Sequence, residues 1–287
     1  MLAGRFTHTR RSASIAAGAV LMALVVALLL AGNALAATPA KPTAKAPTGT
    51  IATAKPTFKW STAARATSYE VRAYKGTTLK VKKTGITTLS WKSTTALPKN
   101  VDLTWKVRAT NASGHSAWSN VLTFKVKLAI GNAYQGGKVA YIFHLGDPGY
   151  VAGQTHGLIA AKVDQSTGKQ WYKGTYTATG ATGTALGTGF SNTNMIMAIQ
   201  GTPFTSYAAG VARAYNGGGY SDWYLPSKAE LNKLYLHQAA IGGFGPHYYW
   251  SSSEADANTA WNQAFDLSSQ YANPKSSPSY VRAVRTF

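Results

Sequence analysis

Apolar and polar residues alternate in short runs between residues 57 and 126. The runs predict β-strands at Thr57–Trp60, Tyr69–Tyr74, Thr78–Val81, Thr88–Trp91, Leu103–Arg108 and Val121–Val126. Turn residues such as Lys75-Gly76 and Pro98-Lys99-Asn100 separate them. Several short strands at intervals of roughly 8–12 residues are typical of an all-β sandwich.

The pattern changes after residue 127. Two strand-like runs, Lys138–Phe143 and His156–Ala161, precede helical patterns at Asn192–Gln200 and Tyr207–Tyr215. We expect the methionines of the first helical pattern to pack in the core. A third helix is predicted after Pro226, because Ser227 followed by Glu230 forms a capping box. Residues 128–287 therefore predict both strands and helices.

The first 55 residues contain two segments outside these domains. Residues 1–36 have the pattern of an export signal, with a cationic start, an apolar run at Val20–Leu30 and the small-residue site Ala34-Leu35-Ala36. The alternative is an uncleaved membrane anchor, since the apolar stretch approaches the roughly 20 residues that span a bilayer. Residues 37–55 are rich in Ala, Thr, Pro and Lys and predict a flexible or extended linker. We expect a protein that is secreted or held at the cell surface or in the periplasm, with domains at 56–127 and 128–287.

The composition favours binding over catalysis. The 287 residues include 29 Lys and Arg but only 9 Asp and Glu, giving a net charge of +20. The chain has no cysteine, which excludes disulfides, thiolate metal sites and cysteine nucleophiles. We expect no cofactor and no catalytic residue. Structural calcium is an alternative, with oxygen ligands from Asp222, Glu254, Asp256 and Asp266, although their spacing is not that of an EF-hand.

The positive charge is concentrated in the first half of the chain. Residues 37–127 hold 16 Lys and Arg against Glu70 and Asp102, whereas residues 128–287 hold 10 against seven acids. Alternation is expected to place Lys80 and Lys82 on one strand face, opposite Leu79 and Val81. The predicted polyanion-binding residues are Lys75, Lys80, Lys82, Lys83 and Lys92.

A cationic sheet face attracts polyanions through a salt-screened field. The candidate partners are acidic polysaccharide, envelope phosphates and extracellular nucleic acid, the last without specific recognition. The alternative is solubility, since lysines also protect edge strands from pairing.

The first domain resembles a fibronectin type III domain. The resemblance is carried by Pro56–Trp60, Ala66–Arg72, Leu97-Pro98, Trp105–Ala109 and Gly114–Ser119. It implies a sandwich that serves as a spacer or a protein-binding module. Trp105 stands where such domains usually carry the tyrosine of the tyrosine corner.

Three ordered motifs mark the second domain: Gly218–Ser227, Tyr249–Glu254 and Tyr280–Arg285. Together they resemble the C-terminal domain of collagen-like bacterial adhesins. The resemblance implies an exported or surface domain, and glycosaminoglycan-type polysaccharide is the ligand of some adhesins of this family. Many relatives carry a cysteine before the glycines that open the first motif. This chain has Val211 and Ala212 in that region.

The motif order also resembles the C-type-lectin-like fold in its formylglycine-generating-enzyme branch. This resemblance implies an α+β domain with a short twisted sheet and long loops. The catalytic cysteines of that enzyme have no counterpart here, so its oxidase activity is not carried over.

In lectin-like folds the ligand face lies near the C-terminal strands, which corresponds to Tyr248–Tyr280 here. Aromatic faces stack on sugar rings, while amides and lysine bind hydroxyls and anions. The predicted ligand-binding residues are Trp261, Gln263, Tyr271, Asn273 and Lys275. We expect Trp250 in the core, and Arg282 or Arg285 in an ion pair with Glu254 or Asp222.

The sequence thus predicts an exported, non-catalytic binding protein that recognises anionic or surface polysaccharide. One alternative is a structural or protein-binding component of the cell envelope. A second is a cryptic hydrolase that would draw a carboxylate pair from Asp222, Glu230 and Glu254.

Overall fold

The structure, a computed structural model, describes Met1, Gly4 and residues 37–287. The predicted export signal lies outside the described residues, apart from Met1 and Gly4. Among the described residues, no helix combines the length and the apolar character needed to cross a bilayer. The chain divides into a first unit, Met1–Lys127, and a second unit, Leu128–Phe287.

The described part of the first unit is a β-sandwich. Its strands are β1 (Ala44–Ala46), β2 (Gly49–Ile51), β3 (Thr57–Trp60), β4 (Ser68–Lys75), β5 (Thr78–Ile86), β6 (Ser90–Lys92), β7 (Asp102–Asn111), β8 (Gly114–His115) and β9 (Leu122–Val126). The smaller sheet has the order β1-β3-β6, and the larger has the order β2-β9-β7-β4-β5 with β8 paired to β7. Each of the six predicted strands overlaps an observed strand.

The core of the sandwich lies between the two sheets. Phe58 from the smaller sheet packs edge-on against Trp105 from the larger sheet, with ring centroids 5.0 Å apart. Both side chains are fully buried. The indole Nε1–H of Trp105 donates a hydrogen bond to the carbonyl oxygen of Pro47 at 2.9 Å. A tryptophan at this position therefore still makes a buried hydrogen bond to the backbone.

The linker prediction for residues 37–55 is wrong, because β1 and β2 lie within this segment. Pro42, Ala44 and Pro47 are buried, while Lys41 and Lys45 are exposed. The alternation places small apolar residues against the core and lysines in water. A proline-rich segment can take this place because β1 and β2 are edge strands, where a missing N–H is tolerated.

The second unit combines two sheets with short helices. Its strands are β10 (Ala133–Tyr134), β11 (Gly137–Ile142), β12 (Gly157–Ala160), β13 (Ser166–Lys169), β14 (Tyr248–Glu254), β15 (Thr259–Ala264), β16 (Gln270–Pro274), β17 (Ser279–Val281) and β18 (Val284–Thr286). Its α-helices are α1 (Gly189–Gln200), α2 (Ala208–Ala214), α3 (Lys228–Leu236) and α4 (Gln238–Ile241), and single 3-10 turns lie at Phe204–Ser206 and Gly217–Gly219. The sheet orders are β10-β11-β12-β18 and β13-β17-β14-β15-β16.

The helices of the second unit pack on these sheets. Ser227 and Glu230 form the predicted capping box at the start of α3, since each side chain accepts a hydrogen bond from the other residue's backbone N–H. On α1, Ile196 is buried, but Met195 is 42% exposed and Ile199 is 54% exposed. The expectation that the methionines of this helix lie in the core is therefore wrong for Met195, whose face of the helix points outward.

Replacing Ala44 by aspartate tests the contribution of β1 to the sandwich. Ala44 is 4% exposed, so the variant would place a carboxylate in the core without a partner. We expect the free energy of unfolding to fall by at least about 2 kcal/mol. Urea unfolding followed by circular dichroism measures it. The matched control is Lys45→Asp, whose side chain faces solvent; equal losses from both variants would show that β1 does not contribute to the core.

Candidate binding surfaces

The predicted ligand-binding residues of the second unit lie on two faces of one sheet. Alternation along β15 places Trp261 and Gln263 on the same face. In β16, Tyr271 and Asn273 are the register partners of Asn262 and Ala260, which point to the opposite face of β15. Residues directly opposite in an antiparallel pair share a face, so Tyr271 and Asn273 project from the other side. The structure therefore does not bring the predicted set together.

Two members of that set are not accessible to a ligand. Gln263 and Lys275 are both 0% exposed, which corrects their assignment as ligand contacts. Trp261 is half-buried, and the Lys228 ammonium lies 3.0 Å from its ring centroid. Tyr271 is 40% exposed and is the most accessible aromatic residue of the predicted set. Trp250 is fully buried, as expected.

Lys275 instead forms a buried ion pair with Glu254. Its Nζ donates to Glu254 Oε1 at 2.5 Å and to the carbonyl oxygens of Thr177 at 3.0 Å and Ala257 at 2.8 Å. All three ammonium donors are therefore satisfied. The Glu254 carboxylate also accepts hydrogen bonds from the backbone N–H of Thr179, at 2.9 Å. The pair thus connects β14 and the end of β16 with the segment that precedes α1.

The two terminal arginines are also paired. Arg285 donates from Nε and Nη2 to the two carboxylate oxygens of Asp222, at 2.7 and 2.8 Å, as predicted. Arg282 pairs with Asp164, at 2.6 Å, which the sequence reasoning did not identify. The motif Tyr280–Arg285 does not form one continuous strand, because β17 ends at Val281 and β18 begins at Val284.

Four of the carboxylates proposed for calcium or for hydrolysis, Asp222, Glu230, Glu254 and Asp256, have partners within the fold. Glu230 is fully buried in the capping box, and burial raises its pKa against the opposing effect of hydrogen bonds from the backbone N–H of Ser227 and Gly187. Asp256 accepts from the N–H groups of its own turn. Among the described residues, no three His, Asp or Glu side chains are grouped as potential metal ligands. The expectation that the chain binds no cofactor stays a prediction.

The first unit carries a different surface, on the outer face of its larger sheet. Residues of β4 and β7 alternate, so that Arg72 and Lys106 point away from the core formed by Val71 and Val107. Arg72 is the register partner of Lys82 in β5 and of Lys106 in β7. Three cations therefore lie side by side across three adjacent strands. We call Lys82, Arg72 and Lys106 the cationic row.

Trp118 lies beside the cationic row. The distances from its ring to the cationic groups are 5.0 Å for Arg72, 4.8 Å for Lys106 and 4.7 Å for Arg108. These separations are within the range of favourable cation–π contacts. Sequence reasoning missed Arg72, Lys106, Arg108 and Trp118, although the alternation of β4 and β7 places the first three on the solvent face.

Glu70 neutralises part of this surface. It is 3% exposed and accepts from Arg72 Nε at 2.7 Å and Arg108 Nη2 at 2.6 Å. Burial alone would raise the pKa of Glu70, but the hydrogen bonds from the two arginines lower it below its ordinary value. Among the ion pairs of the described residues, none includes Lys82 or Lys106.

The five lysines predicted to bind polyanions do not form one patch. Only Lys82 belongs to the cationic row, and Lys92 lies on β6 of the smaller sheet. The pairing of β5 shifts where Tyr74 opposes Leu79 and Ala73 opposes Val81, which leaves Lys80 as an extra residue. Leu79 is consequently 45% exposed while Val81 is 5% exposed. The expectation that these two residues share a face is wrong because of this bulge.

The remaining two lysines are distributed along the same edge strand and its hairpin. Lys75 ends β4 opposite Thr78, and Lys83 opposes Val71. Both are exposed. Neither is part of the row that crosses from β5 to β7.

Residues 161–285 match the family model of the Lcl C-terminal domain, in agreement with the adhesin-like resemblance of the three motifs. Solved structures similar to the first unit are fibronectin type III-like. A Fn3-like protein from Clostridium thermocellum is 18% identical, covering 31% of this chain and 92% of that chain, with a TM-score of 0.25. The FN5 domain of Drosophila Lar is 18% identical, covering 32% and 100%, with a TM-score of 0.27. No curated protein matches the chain.

Replacing Lys275 by methionine tests the buried ion pair. The variant leaves the Glu254 carboxylate buried without its cation, and we expect a loss of about 3–5 kcal/mol in the free energy of unfolding. Adding Glu254→Gln to this variant is expected to recover part of the loss. Chemical denaturation of the single and double variants measures both effects. Lys162→Met, at an exposed position, is the control; a loss no larger than in that control would contradict the role of the pair.

The Asp222–Arg285 pair predicts a dependence of stability on acid pH. The hydrogen bond from Arg285 lowers the pKa of Asp222 below 3.8, so the folded chain favours the ionised form. The stabilisation is present above pH 3.8 and is lost as the pH falls through the lowered folded value. Because the Asp222 side chain is 47% exposed, we expect no more than about 1 kcal/mol. The unfolding free energies of wild type and Asp222→Asn should differ at pH 6, and the difference should shrink as the pH falls below 3.8; a constant difference would contradict the assignment.

Proposed function

We propose that this chain is an exported, non-catalytic binding protein that attaches to anionic surface polysaccharide of glycosaminoglycan type. The observation that carries the proposal is the cationic row on the larger sheet of the first unit. Like charges directly opposite one another in adjacent strands destabilise a sheet. Two successive pairs of this kind, Lys82–Arg72 and Arg72–Lys106, are explained by selection for an anionic partner.

The charge distribution supports the same proposal. Residues 37–127 hold 16 Lys and Arg against two acids, so the field around the first unit is strongly positive. Neighbouring strands are about 4.8 Å apart, which places the cations of the row at a short and regular spacing. A polymer with repeated anionic groups can contact several of them together, and the attraction is reduced by salt.

The match to the Lcl C-terminal domain supports a surface or binding module in the second unit. We assign this unit a C-type-lectin-like fold and a supplementary role in sugar contact. Tyr271, Asn273 and Trp261 are the remaining candidates for that contact, on two separate faces of the sheet. Export, through the segment at 1–36, belongs to the same proposal.

We also propose that the chain has no catalytic activity. The structural partners of its acidic residues support this. A hydrolase would need two free carboxyl groups facing a common substrate. Glu230 caps α3, Glu254 pairs with Lys275, and Asp222 pairs with Arg285. Each of these carboxylates has a structural partner.

A second candidate function is protein binding at a cell envelope. The observation that favours it is the outward face of α1, where large apolar side chains are exposed. Met195 is 42% exposed, and Ile199, four residues later on the same side of the helix, is 54% exposed. Exposed apolar residues grouped on one helix face are typical of interaction surfaces.

Binding of the full chain to immobilised heparin across a salt series tests the leading proposal. We expect saturable binding that weakens with salt. Lys82→Glu reverses one charge of the row and should lower the affinity about tenfold, equivalent to about 1.4 kcal/mol.

The matched control is Lys92→Glu, on the smaller sheet. It changes the net charge equally and should lower the affinity less than about threefold, because its field at the row is screened. Equal losses from both variants would assign the attraction to net charge alone. No binding of heparin by the wild type would refute the proposal.

A further inference from the structure

A depression lies on the outer face of the larger sheet, beside one end of the cationic row. Its volume is ≈ 350 Å³, and its lining residues include Tyr74, Gly76, Thr77, Thr104, Lys106 and Val121. This volume is at the small end of the range of about 300–1,000 Å³ for small-molecule sites. The depression is therefore sized for one or two small rings rather than for a protein segment.

Lys106 supplies an unneutralised positive charge to this depression. Its Nζ lies 5.6 Å from the ring centroid of Tyr74 and 4.8 Å from that of Trp118. The neighbouring arginines share the carboxylate of Glu70, but among the described residues no carboxylate pairs with Lys106. The two rings hold the ammonium in place, so that less side-chain entropy is lost when an anion binds.

The other walls combine apolar surface with hydroxyl groups. The ring of Tyr74 lies on one side, and Val121 is 58% exposed. Thr77, in the hairpin between β4 and β5, and Thr104, on β7, contribute hydroxyls. Tyr74 and Thr104 are register partners in adjacent strands, so the aromatic surface and a hydroxyl lie side by side.

We infer that this depression binds a hexuronate unit of an acidic polysaccharide. The carboxylate of the sugar would pair with Lys106, its C–H face would pack on Tyr74, and its hydroxyls would bond the threonines. A sugar ring presents an apolar face and hydroxyl edges, which is the combination that the depression offers. A phosphate polymer has no apolar face that could pack against Tyr74 and Val121. The inference rests on the proposed function, since it names the sugar that the first unit recognises.

Titration of the full chain with a hyaluronan tetrasaccharide, which contains glucuronate, tests the inference. Lys106→Gln should weaken binding about tenfold or more. Tyr74→Leu should also weaken it about tenfold, although no charge changes. Lys59→Gln, at an exposed position on the smaller sheet, loses the same charge and should change the affinity less than about twofold. The tetrasaccharide with its carboxyl groups reduced to alcohols should bind wild type about tenfold more weakly.

Parallel titration with heparin separates this inference from the proposed function. If the chain binds heparin but Lys106→Gln and Lys59→Gln weaken the tetrasaccharide equally, the uronate site is refuted while the proposed function stands. If neither ligand binds, both fail. If polyphosphate binds more tightly than the tetrasaccharide, and Tyr74→Leu has no effect, the surface binds phosphate polymers and the uronate assignment is overturned. Circular dichroism of each variant verifies that its fold is retained.

Discussion

The second unit depends on buried positive charge that is fully paired. Lys275 and Arg282 are both 0% exposed, and moving such a group out of water costs several kcal/mol. The cost is offset only where every donor finds an acceptor. Lys275 meets this condition with Glu254 and two carbonyl oxygens from separate segments. These segments must therefore assemble together, because the loss of any acceptor leaves part of a buried charge unpaired.

The pairing of cations with carboxylates also determines which unit has positive charge left to attract an anion. In the second unit, residues 128–287, ten Lys and Arg face seven acids, and its buried cations are held by carboxylates. In the first unit the acids are only Glu70 and Asp102, and each pairs with cations on the larger sheet. Most of the positive charge of the sandwich is left for solvent or for a partner. The positive field of the chain thus arises mainly from the first unit.

Period-two patterns predicted most of the sandwich because its strands bury one face and expose the other. The prediction failed where the pattern was hidden by composition. In residues 37–55 the abundance of Pro and Lys obscured the alternation that buries Pro42 and Ala44. It failed again at β5, where one extra residue places Leu79 and Val81 on opposite faces of the strand. A bulge depends on the pairing of two strands, so the sequence of one strand does not reveal it.

The candidate sites were predicted less well, for a related reason. A cluster of lysines close in sequence predicts a cationic surface on a single stretch of the chain. The cationic row instead joins residues from three strands. Its members Arg72 and Lys106 become neighbours only through the register of β4 and β7. Lys275 shows the opposite error. It lies in a polar segment that resembles a ligand loop, yet its ammonium is buried and pairs with Glu254. Ion pairs between distant segments, such as Arg282 with Asp164, carry no local signal.

Glu70 reduces the charge repulsion on the outer face of the larger sheet. An arginine guanidinium matches a carboxylate in geometry better than an ammonium does, and Glu70 accordingly pairs with Arg72 and Arg108. The repulsion at the centre of the row is thereby reduced, and Trp118 stabilises the same cations from above. Within the described residues, no carboxylate pairs with the ammonium groups of Lys82 and Lys106 at the two ends. Under the proposed function, a polyanion that followed the row from β5 to β7 would meet free charge at the edge strand and again beside the depression, with little cost to the sheet between them.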